Sequence, residues 1–234
     1  MESSRRPNFI QMDFQAEIEV IRRKIDAYGE AGKSIFASSS FQTHSIPMLQ
    51  ILSLVDNTIP VFFLNTGYLY PQTIEYKDHI AELYGLNIID LKSSTPRNMQ
   101  KDYSGRLLFT SDPDFCCHLN KVSPMEPVLQ TYDVWINGVR ADQNANRASM
   151  KDEQATPHRA MRYHPMLHWT KTMIWSYIKE YKIPHHPLDK EGYTSIGCEP
   201  CTRKIDPALM NDERMARWFG LNKTECGLHT ELIK

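Results

Sequence analysis

Ser34-Ile35-Phe36-Ala37, running into Ser38-Ser39-Ser40-Phe41-Gln42-Thr43, is the stretch on which the fold turns. It reads as a short strand, Ser34 to Ala37, that breaks into a loop of hydroxyls. The residues after it, His44 to Val55, carry a helical pattern. Pro60 then opens a second apolar strand, Val61 to Leu64, which ends in Asn65-Thr66-Gly67. A helix initiated at Pro71 leads to a third strand, Asn87 to Leu91. Strands alternating with helices specify βαβ units and a parallel sheet. Ligands of such sheets bind beyond the carboxyl ends of the strands. The serine run and Asn65-Thr66-Gly67 both fall there, so both are expected to face one site.

Upstream, Phe14, Ile18, Ile21, Ile25 and Tyr28 recur at helical spacing, and Gly29 and Gly32 close that helix. Downstream, Lys92 to Pro113 is polar and irregular. Another strand, Tyr132 to Ile136, ends in Asn137-Gly138-Val139-Arg140. The polar segment Ala141 to Thr156 is expected as a loop on the ligand face, and Lys171 to Tyr181 as a helix. From Ile183 on, the chain is rich in Pro, Gly, Cys and charge and reads as a functional tail rather than a second core. The fold class is therefore α/β, a parallel twisted sheet with flanking helices.

Across 234 residues, 27 Lys and Arg face 28 Asp and Glu, a formal net charge of −1. Such a balance argues against a general nucleic-acid or membrane surface, so an anionic ligand must be met by local basic residues. The longest apolar run, about Ile59 to Leu64, is far too short to span a bilayer. MESSRRPNFIQMDFQAEIEV has no apolar signal core. The expectation is a soluble, cytoplasmic protein that binds neither nucleic acid nor membrane.

The serine loop, between a strand and a helix N-terminus, offers hydroxyls and backbone N–H groups to an anion. The plainer reading is a helix cap and a polar turn. Five cysteines fall as Cys116-Cys117, Cys198-x-x-Cys201 and a lone Cys226. In a cytosolic chain these are not expected as structural disulfides. Four plus one suggests a metal site and a separate reactive thiol. Zinc and an iron–sulfur cluster both use thiolates at C-x-x-C spacing. Adjacent cysteines suit a cubane, with irons at separate corners, better than tetrahedral zinc. Cys226, near His229 and Lys223, is either an accessible nucleophile or a plain surface thiol. Lys121, Arg140, Arg203, Lys204, Arg214 and Arg217 lie near motif ends. Singly each reads as a surface charge; as a set they suit a phosphate-bearing ligand. Arg214 and Arg217 would share a helix face.

Together these stretches resemble the adenylylsulfate (APS) and phosphoadenylylsulfate (PAPS) reductase family, in its iron–sulfur-containing branch. The carrying motifs are Ser38-Ser39-Ser40-Phe41-Gln42, Leu64-Asn65-Thr66-Gly67, Cys116-Cys117-x-x-x-Lys121-x-x-Pro124, Gly138-Val139-Arg140-x-Asp142-Gln143, Ile196-Gly197-Cys198-Glu199-Pro200-Cys201-Thr202-Arg203 and Glu225-Cys226-Gly227-Leu228-His229. The resemblance implies an adenine-nucleotide α-hydrolase-like fold. Residues 1–205 would form the nucleotide-binding domain carrying the cluster, and 206–234 a mobile C-terminal tail carrying the nucleophile. It implies a 4Fe–4S cluster on Cys116, Cys117, Cys198 and Cys201. Cys226 would attack the sulfate sulfur, AMP would leave, and thioredoxin or a similar dithiol would release sulfite from the S-sulfocysteine, a step of sulfate assimilation and cysteine biosynthesis. Lys121 and His229 would join Cys226 in catalysis. Ser38, Ser39, Ser40, Gln42, Thr66, Gly67, Arg140, Arg214 and Arg217 would hold the substrate. APS is the expected substrate, PAPS the alternative, and a homo-oligomer the expected assembly. An ATP pyrophosphatase or tRNA-thiolation enzyme of the same fold is disfavoured, because the serine run lacks the glycines of a triphosphate grip. One departure stands out: the family often has an acid where this chain has Asn65.

Overall fold

The computed structural model describes residues 13–206, 208, 215–218, 223 and 228. Six strands make one sheet: β1 (Ile35–Ser38), β2 (Val61–Leu64), β3 (Ile88–Leu91), β4 (Val134–Asn137), β5 (Glu153–Gln154) and β6 (Met161–Tyr163). Their order is β3-β2-β1-β4-β6-β5. Every pairing is parallel except β5 with β6. The chain steps outward from β1 through β2 to β3, then crosses back to place β4 on the other side of β1. That reversal opens a crevice at the carboxyl ends of β1 and β4.

Alternation along each strand decides which core a residue enters. Phe36, Phe62 and Trp135 point to one face and pack with Met125, Val128, Leu129 and Ala160. Their neighbours Ala37, Val61, Phe63, Val134 and Ile136 point to the other. There they meet α1 (Phe14–Glu30), α2 (Ile46–Val55), α3 (Pro71–Tyr84) and α8 (Lys171–Glu180) through residues such as Ile18, Leu49, Ile80 and Tyr177. The first face is covered by α6 (Ser123–Thr131). The Asp13 carboxylate caps α1 by accepting from the backbone N–H groups of Gln15 and Ala16. Gly85, left-handed at φ 61°, ends α3.

Between β3 and β4 lie α4 (Leu108–Ser111) and α5 (Pro113–Cys117), which passes through a π-turn, His118–Val122, into α6. Of this region, Lys92 to Pro113 was expected as polar and irregular, and no element was expected from there to Tyr132. The expected ligand-face loop after β4 contains α7 (Ala145–Ala148) and β5. Residues after Ile183 do not hang free: Ile183, His186, Leu188 and Ile196 are all buried. The Tyr76 hydroxyl donates to the Pro184 carbonyl at 2.6 Å, and the Thr43 hydroxyl to Asp189 at 2.5 Å. The 183–202 segment is thus part of the body. Cys226, His229, Arg214 and most of the expected mobile tail lie outside the described residues. Among the described residues, no helix is long and apolar enough to cross a membrane.

Candidate functional site

The loop after β1 is built around a strained residue. Phe41 sits at φ 53°, a conformation that costs a non-glycine residue about 1–2 kcal/mol. Its ring is fully buried and meets Phe63 edge-on at 5.4 Å, which holds the backbone there. Around it the loop ties its own hydroxyls. Phe41 N–H donates to Ser39 Oγ at 3.1 Å, and Gln42 Nε2 to Ser40 Oγ at 3.1 Å. Trp135 Nε1 on β4 donates to Ser38 Oγ at 2.8 Å. The loop then enters α2, whose N-terminal end favours negative charge.

Two bonds carry this loop to the second cysteine motif. Gln42 Oε1 accepts from Ile196 N–H at 2.6 Å. On the β2 side, Leu69 bridges Cys198, and Glu199 N–H donates to the Tyr68 carbonyl at 2.7 Å. Thr66 Oγ1 lies 3.3 Å from Cys198 Sγ. Gly67 makes the turn at φ 72°, and its carbonyl accepts from Arg97 at 2.9 Å. The serine loop, the Asn65-Thr66-Gly67 turn and the C-x-x-C segment are therefore one hydrogen-bonded unit.

All four described cysteines are free and border one small pocket. The rest of its wall is Thr66, Tyr68, Phe109, Pro113, Asn120, Lys121 and Pro200. α5 presents Cys116 and Cys117, and the π-turn brings Asn120 and Lys121 round to the same side. Asn120 Nδ2 donates to the Cys116 carbonyl at 2.9 Å and lies 3.6 Å from its sulfur. It also exchanges two bonds with the buried Gln100 amide, at 2.6 and 2.9 Å. Burial, then the neighbouring Cys117, Cys198 and Cys201, push the Cys116 thiol up to about 12, against the pull of Lys121. Burial also raises Cys201. Among the described residues, no three His, Cys, Asp or Glu side chains gather closely enough for a single metal ion.

A larger cleft, of about 200 Å³, opens beside this pocket and shares Thr66, Lys121 and Cys198 with it. Of the residues singled out in the sequence, it brings together Ser38, Ser39, Ser40, Gln42, Thr66, Lys121, Cys198 and Arg217. Arg217 does not lie on a helix face; it bridges Thr202, and its Nε donates to the Cys201 carbonyl at 3.2 Å. A Cβ on Gly197 would collide with the Arg217 guanidinium, so glycine there lets the cation approach.

Gly67 and Arg140 are not on the cleft wall. Arg140 is 2% exposed, and its Nε pairs with Asp142 at 2.9 Å. Lys204 pairs with Glu191 at 3.7 Å, and Lys223 with Asp114. The cleft also contains His44, Asn137, Gln143, Arg147 and Ser195, of which the sequence reading gave a role to none. Two had a signal. Asn137 ends β4, where ligands of such sheets bind, and Arg147 lies in the loop expected on that face.

Similarity to known proteins bears on this cleft. Residues 34–204 match the family model described as the phosphoadenosine phosphosulfate reductase domain. A Bacillus subtilis (strain 168) relative named adenosine 5'-phosphosulfate reductase 1 is 36% identical over 208 residues, 87% of each chain. The adenosine 5'-phosphosulfate reductase of Bacillus pumilus (strain SAFR-032) is 35% identical over the same shares. Among solved structures, the phosphate complex of PAPS reductase from Candida auris superposes with a TM-score of 0.67 at 19% identity, covering 82% of this chain and 91% of that one. Candida glabrata FMN adenylyltransferase, with FMN and an ATP analogue, gives 0.61 at 16% identity, covering 95% and 73%. At such identities the two structures speak to the fold, which is the adenine-nucleotide α-hydrolase-like one.

Proposed function

The chain belongs to the phosphoadenosine phosphosulfate reductase family, and from that premise we propose that it reduces adenylylsulfate to sulfite and AMP in sulfate assimilation. Cys226 is the nucleophile in this reading, and a dithiol protein of the thioredoxin kind is the reductant. The observation that carries it is the cleft at the β1–β4 switch point, where the serine loop, Lys121 and Arg217 surround a space that adjoins four cysteines. The names of the curated relatives favour adenylylsulfate over its 3'-phosphorylated form.

The chemistry follows from charge. The Cys226 thiolate attacks the sulfate sulfur; an S–S bond forms, the S–O bond to phosphate breaks, and AMP leaves with the electron pair. A donor thiolate then attacks Cys226 Sγ and expels sulfite with the next pair. The donor's second thiol frees Cys226, and the donor ends as a disulfide. The first step brings an anion to an anion, so fixed cations are the main requirement. Lys121 and Arg217 meet it from the cleft wall, with Arg214 and His229 contributing from the C-terminal segment. Ser38, Ser39, Ser40, Gln42 and Thr66 hold the nucleotide.

Cys116, Cys117, Cys198 and Cys201 suit a 4Fe–4S cluster. The support is the donor set: four cysteines line one pocket with no carboxylate or imidazole among its wall residues. Bound there, a cluster would be held by Cys116 and Cys117 of α5 and by Cys198 and Cys201 of the C-x-x-C segment, and would supply fixed charge beside Lys121 and Thr66.

Anaerobically purified protein is expected to release sulfite from adenylylsulfate with thioredoxin, faster than from phosphoadenylylsulfate, and to hold roughly four irons per chain. Without reductant, the substrate should add one sulfonate mass to Cys226. An adduct on another cysteine overturns the nucleophile; stoichiometric zinc overturns the cluster; a preference for the 3'-phosphorylated substrate reverses the substrate assignment.

A further inference from the structure

The two described residues nearest Cys226 in the chain, Lys223 and Leu228, are both fastened to the body of the protein. Lys223 Nζ forms an ion pair with Asp114, on the first turn of α5, two residues before Cys116. The lysine side chain is 7% exposed, and the carboxylate is 79% exposed. On the other side, the Leu228 carbonyl accepts from Arg162 Nη2 at 3.2 Å. Arg162 is 1% exposed, and its guanidinium lies 5.0 Å from the centre of the Trp135 ring. A buried guanidinium must find acceptors, and one of them comes from 66 residues away. The Leu228 side chain completes the fastening by packing on the cluster formed by Phe36, Phe62 and Trp135. It also lines the cleft.

We propose that Asp114 and Arg162 are positioning residues: they clasp the C-terminal segment at Lys223 and Leu228 and so hold the Cys226 thiol for attack at the cleft. This rests on the reading of Cys226 as nucleophile. Covalent reach limits Cys226 to about 7 Å of Leu228 and about 11 Å of Lys223, Cα to Cα. Fastening Lys223 and Leu228 shortens the unanchored run of chain between them, and such orientation is where an attack on a bound substrate gains most. The two clasps differ in kind. Lys223–Asp114 is electrostatic and reaches out to solvent, so it can be exchanged in polarity. Arg162–Leu228 reads a backbone carbonyl and an apolar side chain. It needs a donor at residue 162 but no particular charge at 228.

The test is single-turnover S-sulfonation of Cys226 by saturating adenylylsulfate without reductant, followed by mass spectrometry on iron-loaded protein. Asp114→Lys should slow the adduct about tenfold or more with little change in the substrate concentration at half-maximal rate. Asp114→Lys with Lys223→Asp should return the rate to within about threefold of wild type. Arg162→Met should slow the step similarly, and Arg162→Lys should recover part of it. Alkylation of Cys226 in substrate-free Asp114→Lys should run several-fold faster than in wild type. Asp114 is on the surface, so its variant tests the clasp even if Arg162→Met does not fold. Unchanged rates in Asp114→Lys, or failure of the exchanged pair to recover, overturn the clasp while the adduct stays on Cys226. An adduct that survives Cys226→Ser instead overturns the nucleophile itself.

Discussion

Asn65 shows how one substitution redistributes charge at a turn. Its side-chain amide donates to Asp90 Oδ2 at 2.8 Å across the β2–β3 pair, and its Oδ1 faces the Gly67 N–H at 3.4 Å. Lys77 Nζ completes the set by donating to Asp90 Oδ1 at 3.1 Å. An acid at position 65 would here face a second carboxylate. Asn65→Asp should therefore lower the free energy of unfolding by about 1 kcal/mol at pH 7, a lost hydrogen bond plus like-charge repulsion in a partly exposed setting. Asn65→Asp with Asp90→Asn should restore stability. Urea unfolding of the three proteins checks this, and a double variant no better than the single one would refute the pairing. Little of this was legible in the sequence: Asn65 stood out as a departure, but nothing in the chain said that Asp90 lay across from it.

At the scale of elements, the site depends on joining α2 to the 183–202 segment, and Thr43 makes that join. Its hydroxyl donates to Asp189 Oδ2 at 2.5 Å and accepts from His186 N–H at 2.8 Å. The residue is almost fully buried. Thr43→Val keeps the shape but strands a backbone donor and a carboxylate, at about 1–3 kcal/mol for each. The expected loss is about 2–4 kcal/mol in chemical denaturation, with Thr43→Ser close to wild type; a neutral Thr43→Val would mean the join lies elsewhere. This segment shows why part of the fold escaped the sequence. α1 follows periodic apolar spacing and the first three strands are short apolar runs; these and α8 were readable to within a residue or two. Residues 183–202 have no period; side-chain bonds to distant backbone hold them, and only their cysteines announced them. Cys116 and Cys117 lie on the five-residue α5 and Lys121 on the five-residue π-turn after it, between the four-residue α4 and the nine-residue α6, with Pro113, Pro124 and Pro127 interrupting, so no window held a full helical repeat. β6 is three residues with an arginine in the middle, a strand because β4 and β5 pair with it on either side.

For the whole molecule, packing that buries polar groups behind the cleft couples its stability to pH. His164 is buried, with Nδ1 2.7 Å from Oδ1 of Asn137 on the cleft wall. Burial, with Arg162 and Arg147 nearby, lowers it to about 4. His186, buried under Tyr76 and bonded through Nε2 to the Thr73 hydroxyl at 3.0 Å, is lowered to about 4 by burial alone. Both imidazoles are neutral in the fold and titrate near 6.5 when unfolded, so between those values the unfolded chain binds more protons. Stability is then full above about 6.5 and declines as pH falls toward 4, by at most about 3 kcal/mol for each histidine. Asp133 does not confuse this window. The Ser34 backbone and hydroxyl donors, with Arg159, hold its carboxyl at about 2, so its contribution fades only as pH falls below the ordinary carboxylate range. Asp189, raised by burial, acts with the opposite sign and only near the ordinary carboxylate range. Urea midpoints measured from pH 7.5 to 4.5 should fall by several tenths of a molar or more. His164→Gln, which keeps a donor for Asn137 but cannot protonate, should flatten the slope by about half. A wild-type profile level across that range would show that these imidazoles meet water, and the cleft wall behind Asn137 would then not be the dry, fixed surface that a charged substrate needs.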